Sequence, residues 1–136
     1  MKIVLDEGAI FPTRAHPFDA GLDLYATERK VVRSNDWESI DTGVHIQIPQ
    51  GFVGLVTSKS GLMTKHGITS RGTIDSGYTG SIRAVLFNHS RKDYIVEKGD
   101  KITQLVLVPC IVPPLEMVNK LDKTDRGDKG FGSTGR

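Results

Sequence analysis

The last twelve residues of the chain, Asp125 to Arg136, hold four glycines and one apolar side chain, Phe131. So little apolar surface does not order a segment by itself. Its donors are selective nonetheless. Arg126 is a planar fork, Ser133 and Thr134 are hydroxyl donors, and glycines such as Gly132 let backbone N–H groups close around an anion. Phe131 offers a flat face for a base or sugar. The segment reads as a flap that orders over a nucleotide polyphosphate, with a frayed terminus as the plain alternative.

Gly72-Thr73-Ile74-Asp75-Ser76-Gly77-Tyr78-Thr79-Gly80 sets a turn signal, Asp-Ser-Gly, between two strand-like runs and predicts a β-hairpin. At such a turn Asp75 either caps local N–H groups or stays ionised and takes a proton from an attacking water. Tyr78 is either a packing residue or a substrate contact. Lys59-Ser60-Gly61-Leu62 opens the one helical segment, where a serine caps the backbone or the free N–H groups meet an anion beside the Lys59 charge. Gln104 interrupts the apolar run Ile102–Val108 and needs a hydrogen-bond partner if buried. Asp19 and Asp23 flank a short apolar run, one placed to cap a turn and the other to sit near a metal-bound water.

The elements that must position these residues are short. Ile3–Leu5, Leu22–Tyr25, Val44–Ile48, Phe52–Thr57, Ile82–Asn88 and Ile102–Pro109 read as strands, and the alternation in Val44–Ile48 predicts one buried face. Glycine and proline punctuate the gaps, and only Ser60–His66 reads as a helix. The expected fold is all-β, a sandwich, jelly roll or small barrel with at most one short helix. Pro113-Pro114 stiffens the chain and cannot donate to a ladder, so the stretch near 113–120 reads as an edge or as an arm that leaves its own body.

A chain of 136 residues is one domain, and a net charge of +2 carries no broad nucleic-acid footprint. The single cysteine, Cys110, reads as a buried small hydrophobe, and the four histidines lack zinc-ligand spacing. No apolar run reaches membrane-spanning length and the N-terminus lacks a signal pattern, so a cytoplasmic protein is expected.

The order of the motifs is more specific than any one of them. Ala20-Gly-Leu-Asp-Leu, Ser60-Gly-Leu, Gly72-Thr-Ile-Asp-Ser-Gly-Tyr-Thr-Gly, Gly99-Asp-Lys-Ile-Thr-Gln-Leu and Arg126-Gly-Asp-Lys-Gly-Phe-Gly-Ser-Thr-Gly resemble the ordered motifs of the homotrimeric dUTPase family, from Ala20 to Gly135. The resemblance implies a jelly-roll-like β fold with a C-terminal arm exchanged between subunits. It implies hydrolysis of dUTP to dUMP and diphosphate with Mg²⁺, which limits uracil in DNA and supplies dUMP for thymidylate synthesis. By the same resemblance Asp75 activates the attacking water and Tyr78 lies under the deoxyribose and excludes a 2′-hydroxyl. Backbone groups around Gly72, Thr73, Ile74 and Arg83 read uracil. Lys59, Ser60, Gly61 and Gln104 contact phosphate, and Asp23 reaches the metal through water. Arg126, Phe131, Gly132, Ser133 and Thr134 form the lid. Residues 1–122 would then be the β domain and residues 123–136 the lid, with each site drawn from three subunits and the apolar run from Ile102 to Val112 buried by neighbours.

The chain departs from the family pattern at Lys59 and Lys101, where arginine is usual, and at Thr69, where many bacterial members place asparagine. Lysine keeps the charge but loses the bidentate fork, and a hydroxyl cannot reproduce an amide's paired contacts with uracil. The rival readings are the related dCTP deaminases, against which the complete lid argues, and a nucleotide-gated binding protein that signals to a regulatory protein partner. Direct binding to nucleic acid or membrane is not expected.

Overall fold

In the computed structural model, which describes residues 1–130, ten strands and one helix follow in the order β1 (Lys2–Leu5), β2 (Gly21–Tyr25), β3 (Lys30–Val32), β4 (Trp37–Asp41), β5 (Val44–Gln47), β6 (Phe52–Thr57), α1 (Ser60–His66), β7 (Ile68–Ile74), β8 (Arg83–Asn88), β9 (Tyr94–Val96) and β10 (Lys101–Pro109). The fold is the expected all-β, jelly-roll-like one with a single short helix. The main sheet has the order β2-β10-β6-β7-β8-β4 and is antiparallel throughout. Two ribbons, β1-β5 and β3-β9, complete the body.

The sheet curls at β7. Ile68, Thr69 and Ser70 pair with β8, whereas Arg71 to Ile74 pair with β6. Two apolar clusters fill the resulting halves. Leu22, Leu24, Val56 and Leu105 pack with Val44 and Ile46 of the β5 ribbon, and Ile40, Ile68, Leu86 and Ile102 pack with Val32 and Val96 of the β3-β9 ribbon. The alternation expected in Val44–Ile48 is observed: Val44, Ile46 and Ile48 are buried, His45 is half-buried and Gln47 is exposed. At roughly 1.5–3 kcal/mol per fully buried aliphatic side chain, these clusters supply the main drive for closing the sheet.

Three sequence expectations need correction. Asp75 does open the expected turn, Tyr78 N–H donating to its carbonyl at 3.0 Å, but not between paired strand ends, because β7 changes partner and leaves an eight-residue connection, 75–82, before the antiparallel β8. The run from Ile102 is not left for neighbours, because β10 lies between β2 and β6 of its own chain and Ile102, Thr103 and Leu105 are buried there. Cys110, just past the end of β10, is half-buried, not fully enclosed. After Pro109 no strand forms among the described residues, and Ile111, Val112, Leu115 and Met117 are almost wholly exposed.

Candidate active site

A β-bulge shapes the first half of the site. β10 pairs Lys101 with Tyr25 but Thr103 with Leu24, so Ile102 is the extra residue. Strand side chains alternate, and one inserted residue reverses the parity beyond it. Lys101 and Gln104 therefore share the face of Asp23, which lies opposite Gln104. Lys101 Nζ donates to one Asp23 oxygen at 3.0 Å, and Lys59 Nζ donates to the other. The Asp23 residue is only 5% exposed. Burial pushes its carboxyl pKa upward, but the bonds and charges of Lys59 and Lys101 prevail and hold it below the ordinary range.

Ser58 places Lys59. Its hydroxyl donates to the Ser70 carbonyl at 3.1 Å and accepts the Ser70 N–H at 2.9 Å, while its own carbonyl accepts Gln104 Nε2 at 3.0 Å. The half-buried Gln104 thus has the partner its setting demanded. Asp23, Lys59 and Gln104 line a cleft of about 370 Å³ with Ala15, Asp19, Gly21 and Val106. Asp19 caps a turn, accepting the His16 N–H at 2.9 Å. Ser60 and Gly61 follow at the exposed start of α1. Lys59, not Ser60, is the N-cap residue, and its side chain makes no capping bond, so the capping alternative for Ser60 fails. Among the described residues nothing lies within 4 Å of where a Gly61 Cβ would stand.

Asp75 and Tyr78 form a second half. Tyr78 N–H donates to the Asp75 carbonyl at 3.0 Å, and the Tyr78 hydroxyl donates to the Ser81 carbonyl at 3.0 Å. Asp75 is exposed and Tyr78 is 44% exposed. Gly72, Thr73 and Ile74 lead into this connection along β7, and Arg83 begins the strand that leaves it. The Arg83 guanidinium is committed to β4, donating to Asp41 Oδ2 at 2.9 Å and to the Ser39 hydroxyl at 2.9 Å.

The two halves stand apart within one chain. Thr57 pairs with Arg71 and Gly54 with Ile74, a span of about 10 Å along the ladder. Lys59 lies beyond the first end and Asp75 beyond the other. Thr69 is six residues before Asp75, on the order of 20 Å of extended strand, and its hydroxyl is bonded to His89 Nε2 at 2.8 Å. Among the described residues Arg126 hydrogen-bonds within the tail, its Nε donating to the Lys129 carbonyl at 3.3 Å. Phe131, Gly132, Ser133 and Thr134 lie outside the described residues.

Lys101 and Ser58 are the site residues that sequence reasoning missed. Ser58 before a helix carries no signal of its own, and Lys101, noted only as a departure from the family pattern, owes its place to a bulge that is invisible in the sequence.

The dUTPase family model matches residues 7–135. A deoxyuridine 5'-triphosphate nucleotidohydrolase from Clostridium acetobutylicum is 44% identical over 134 residues, 96% of this chain and 92% of the relative. One from the yeast Debaryomyces hansenii is 42% identical over 133 residues, 96% of this chain and 83% of the relative. Among solved structures, a variant dUTPase of Staphylococcus phage 80alpha superposes with TM-score 0.88 at 32% identity, covering 97% of this chain and 96% of that one. Another 80alpha variant, solved with dUpNHpp, gives TM-score 0.87 at 31% identity over 99% of this chain and 98% of that one. A variant from phage phi11, whose structure shows the coordination of a structural Mg(II) ion, gives 0.80 at 31% over 88% and 96%. A family match across nearly the whole length and relatives this close, on a body with the same fold, leave one assignment: the chain belongs to the dUTPase family.

Proposed function

We propose that the chain hydrolyses dUTP to dUMP and diphosphate as a homotrimer with shared sites, in the cytoplasm, with Asp75 as general base. The observation that carries this reading is the division of the site. A cationic cleft around Asp23, Lys59 and Gln104 suits a phosphate chain, while Asp75 and Tyr78 stand at the far end of the β6-β7 ladder. That separation supports a substrate held between two chains over one held within a single chain. The exposed Ile111, Val112, Leu115 and Met117 support an arm near 113–120 that packs on a neighbour, because a chain working alone would leave that surface in water.

In the reaction Asp75 takes a proton from water as its oxygen bonds to the α-phosphorus. The bond from that phosphorus to the α–β bridging oxygen breaks, and diphosphate departs with the electron pair. Lys59, Ser60, Gly61 and Gln104 hold the phosphate oxygens, and Lys59 and Arg126 offset the charge that gathers on the leaving group. Backbone groups of Gly72, Thr73, Ile74 and Arg83 read the uracil edge, with Thr69 in a supporting place, and Tyr78 closes the space a 2′-hydroxyl would need. Residues 123–136 form the lid over the 1–122 body, with Phe131 on the base and Gly132, Ser133 and Thr134 at the distal phosphates.

Among the described residues no three His, Cys, Asp or Glu side chains converge on one point. The cleft offers buried Asp23, both of whose oxygens already carry lysine partners, and Asp19 at its margin. That donor set fits Mg²⁺, which keeps several waters and takes phosphate oxygens directly, with Asp23 reaching it through water. When bound with the triphosphate, Mg²⁺ supplies charge neutralisation at the phosphate oxygens.

The test is incubation with dUTP and with dCTP, with and without Mg²⁺, and identification of the products. Diphosphate from dUTP supports the reading; ammonia from dCTP or binding without turnover overturns it. Asp75→Asn should lower the rate by about 10²–10⁴-fold while dUTP still binds. Mixing Asp75→Asn with Gln104→Ala subunits under conditions that allow reassembly should restore activity, since mixed trimers contain intact sites; no restoration would place both residues in one subunit's site.

A further inference from the structure

The connection 75–82 carries the proposed base and the proposed ribose platform, so what fixes its position matters for the reaction. Its base is well anchored. The Thr42 hydroxyl donates to the Ile82 carbonyl at 2.6 Å, and Ile82 N–H donates to the Val44 carbonyl at 2.9 Å. Its tip is held by much less. Among the described residues, His45 is the one side chain outside the connection that hydrogen-bonds any residue from 75 to 80.

His45 sits on β5 opposite Val4, with its side chain 27% exposed. Nδ1 lies 2.8 Å from the Thr79 carbonyl and Nε2 lies 3.1 Å from Asp6 Oδ1. Asp6 is itself fixed, because its N–H donates to the Gly43 carbonyl at 2.9 Å and its carbonyl accepts from Ala9 N–H at 3.1 Å. Both partners of the ring accept only. A neutral imidazole has one N–H and can serve one of them, whereas the imidazolium serves both. The link from Asp6 through His45 to Thr79 is therefore complete only when the ring is charged.

The geometry points to His45 as a positioning residue for the reaction: protonated, it ties the Asp75–Tyr78 connection to the N-terminal strand. This rests on the proposed roles of Asp75 and Tyr78 and adds to them the group that sets where they stand.

The surroundings favour the charged ring. The Thr79 carbonyl raises its pKa most, slight burial opposes, and the bond and charge of Asp6 and the charge of Asp41 on β4 add to the rise. From β8, Arg83 offsets part of the Asp41 charge through their 2.9 Å bond, and from β1, Lys2 lines the same groove as His45. A raised folded-state pKa means that the link stabilises fully below the ordinary imidazole value, and that this stabilisation fades as pH climbs through the folded-state value. In the neutral ring one nitrogen turns a lone pair toward an acceptor, and either the Thr79 or the Asp6 bond is lost.

His45→Ala, His45→Gln and Asp6→Asn separate this role from a merely structural one. Loss of one net hydrogen bond predicts a KM for dUTP about 3- to 10-fold higher in His45→Ala, with kcat within about twofold. His45→Gln, with one uncharged donor, should recover part of that loss at every pH. The wild-type kcat/KM should show an inflection at the His45 pKa, which Asp6→Asn moves down toward the ordinary value and His45→Ala deletes. Ring titration by NMR and hydrogen exchange of the 76–81 amides read the same link without turnover, so they test it even if dUTP is not the substrate. Faster exchange at Tyr78 in His45→Ala, and in the wild type above the ring's pKa, supports the role. Unchanged exchange, or a His45→Ala enzyme with the wild-type KM and pH profile, overturns it.

Discussion

Gly21 lies against Gln104 so closely that a Cβ on Gly21 would stand 2.1 Å from Gln104 Oε1 and 2.9 Å from its Cδ. The glutamine side chain lies across the bare backbone of β2 and reaches the Ser58 carbonyl. Gly21→Ala should push Gln104 away, break that bond and loosen the segment before Lys59. The expected outcome is a KM for dUTP higher by about 5- to 50-fold, from one lost bond and a misplaced phosphate contact, with the fold intact. Steady-state kinetics with circular dichroism checks it. A variant with the wild-type KM would show that Gln104 moves freely and does not grip phosphate.

Acid should unfold the protein through Asp23 and Asp41. Burial raises both carboxyls, but Lys59 and Lys101 lower Asp23 further, and Ser81, Gly43 and Arg83 do the same for Asp41. With folded-state pKa values depressed, the stability they contribute is present above the ordinary carboxylate value and is lost as pH falls through the folded-state values. Melting temperature should therefore hold from about pH 7 to about pH 5 and drop below about pH 4. Asp23→Asn should cost about 1–3 kcal/mol at neutral pH, less than a fully buried pair because both lysines keep contact with water, and should flatten the acid limb.

The same residues show how far the sequence was legible. Phe52–Thr57 and Ser60–His66 match β6 and α1 residue for residue, because the Pro49-Gln50-Gly51 turn before an apolar run and a glycine in left-handed backbone at Gly67, φ +68°, mark their limits. β3, β4 and β9 were missed, and β7 was read only as the short run leading into the Asp75 turn. β3 and β9 are three-residue strands in charged stretches, and β4 buries only Ile40, so no period was available to read. β7 carries polar residues between its terminal isoleucines because it is shared between two halves of a curled sheet. Site chemistry was more legible than site geometry. Asp23, Lys59 and Gln104, each singled out by its setting in the sequence, line one cleft, but their separation from Asp75 follows from which strands pair, and pairing is a tertiary property.

Tyr78 should set sugar selectivity through ring position. A Cβ on Gly80 would stand 2.4 Å from the Tyr78 hydroxyl, so the ring is folded back over its own connection. Tyr78→Ala should let UTP compete with dUTP, because the steric barrier to a 2′-hydroxyl goes with the ring. Gly80→Ala should do the same in part by displacing it. Competition assays with UTP check both, and an unchanged preference for dUTP in Tyr78→Ala would make Tyr78 a packing residue.

Deleting the chain from Gly127 onward should leave a folded trimer with very low activity. The described part of the tail is exposed, and its hydrogen bonds are local: Gly127 N–H to the Thr124 carbonyl at 3.1 Å and Lys129 N–H to the Arg126 carbonyl at 3.2 Å. None ties it to the β body among the described residues, so melting should move by only a few degrees, on the order of what 1 kcal/mol does in a domain this size. The proposed contribution of the tail comes with substrate, where donors such as Arg126 meet the triphosphate and water is excluded. Phe131→Ala should reproduce part of the loss, since base–aromatic stacking is worth roughly 1–3 kcal/mol. Limited proteolysis checks the same model from the other side: dUpNHpp with Mg²⁺ should protect bonds after residue 126 that are cut in the free protein. Full activity in the truncated protein would remove the lid from the mechanism and leave the Asp75 and Lys59 halves to complete the site alone.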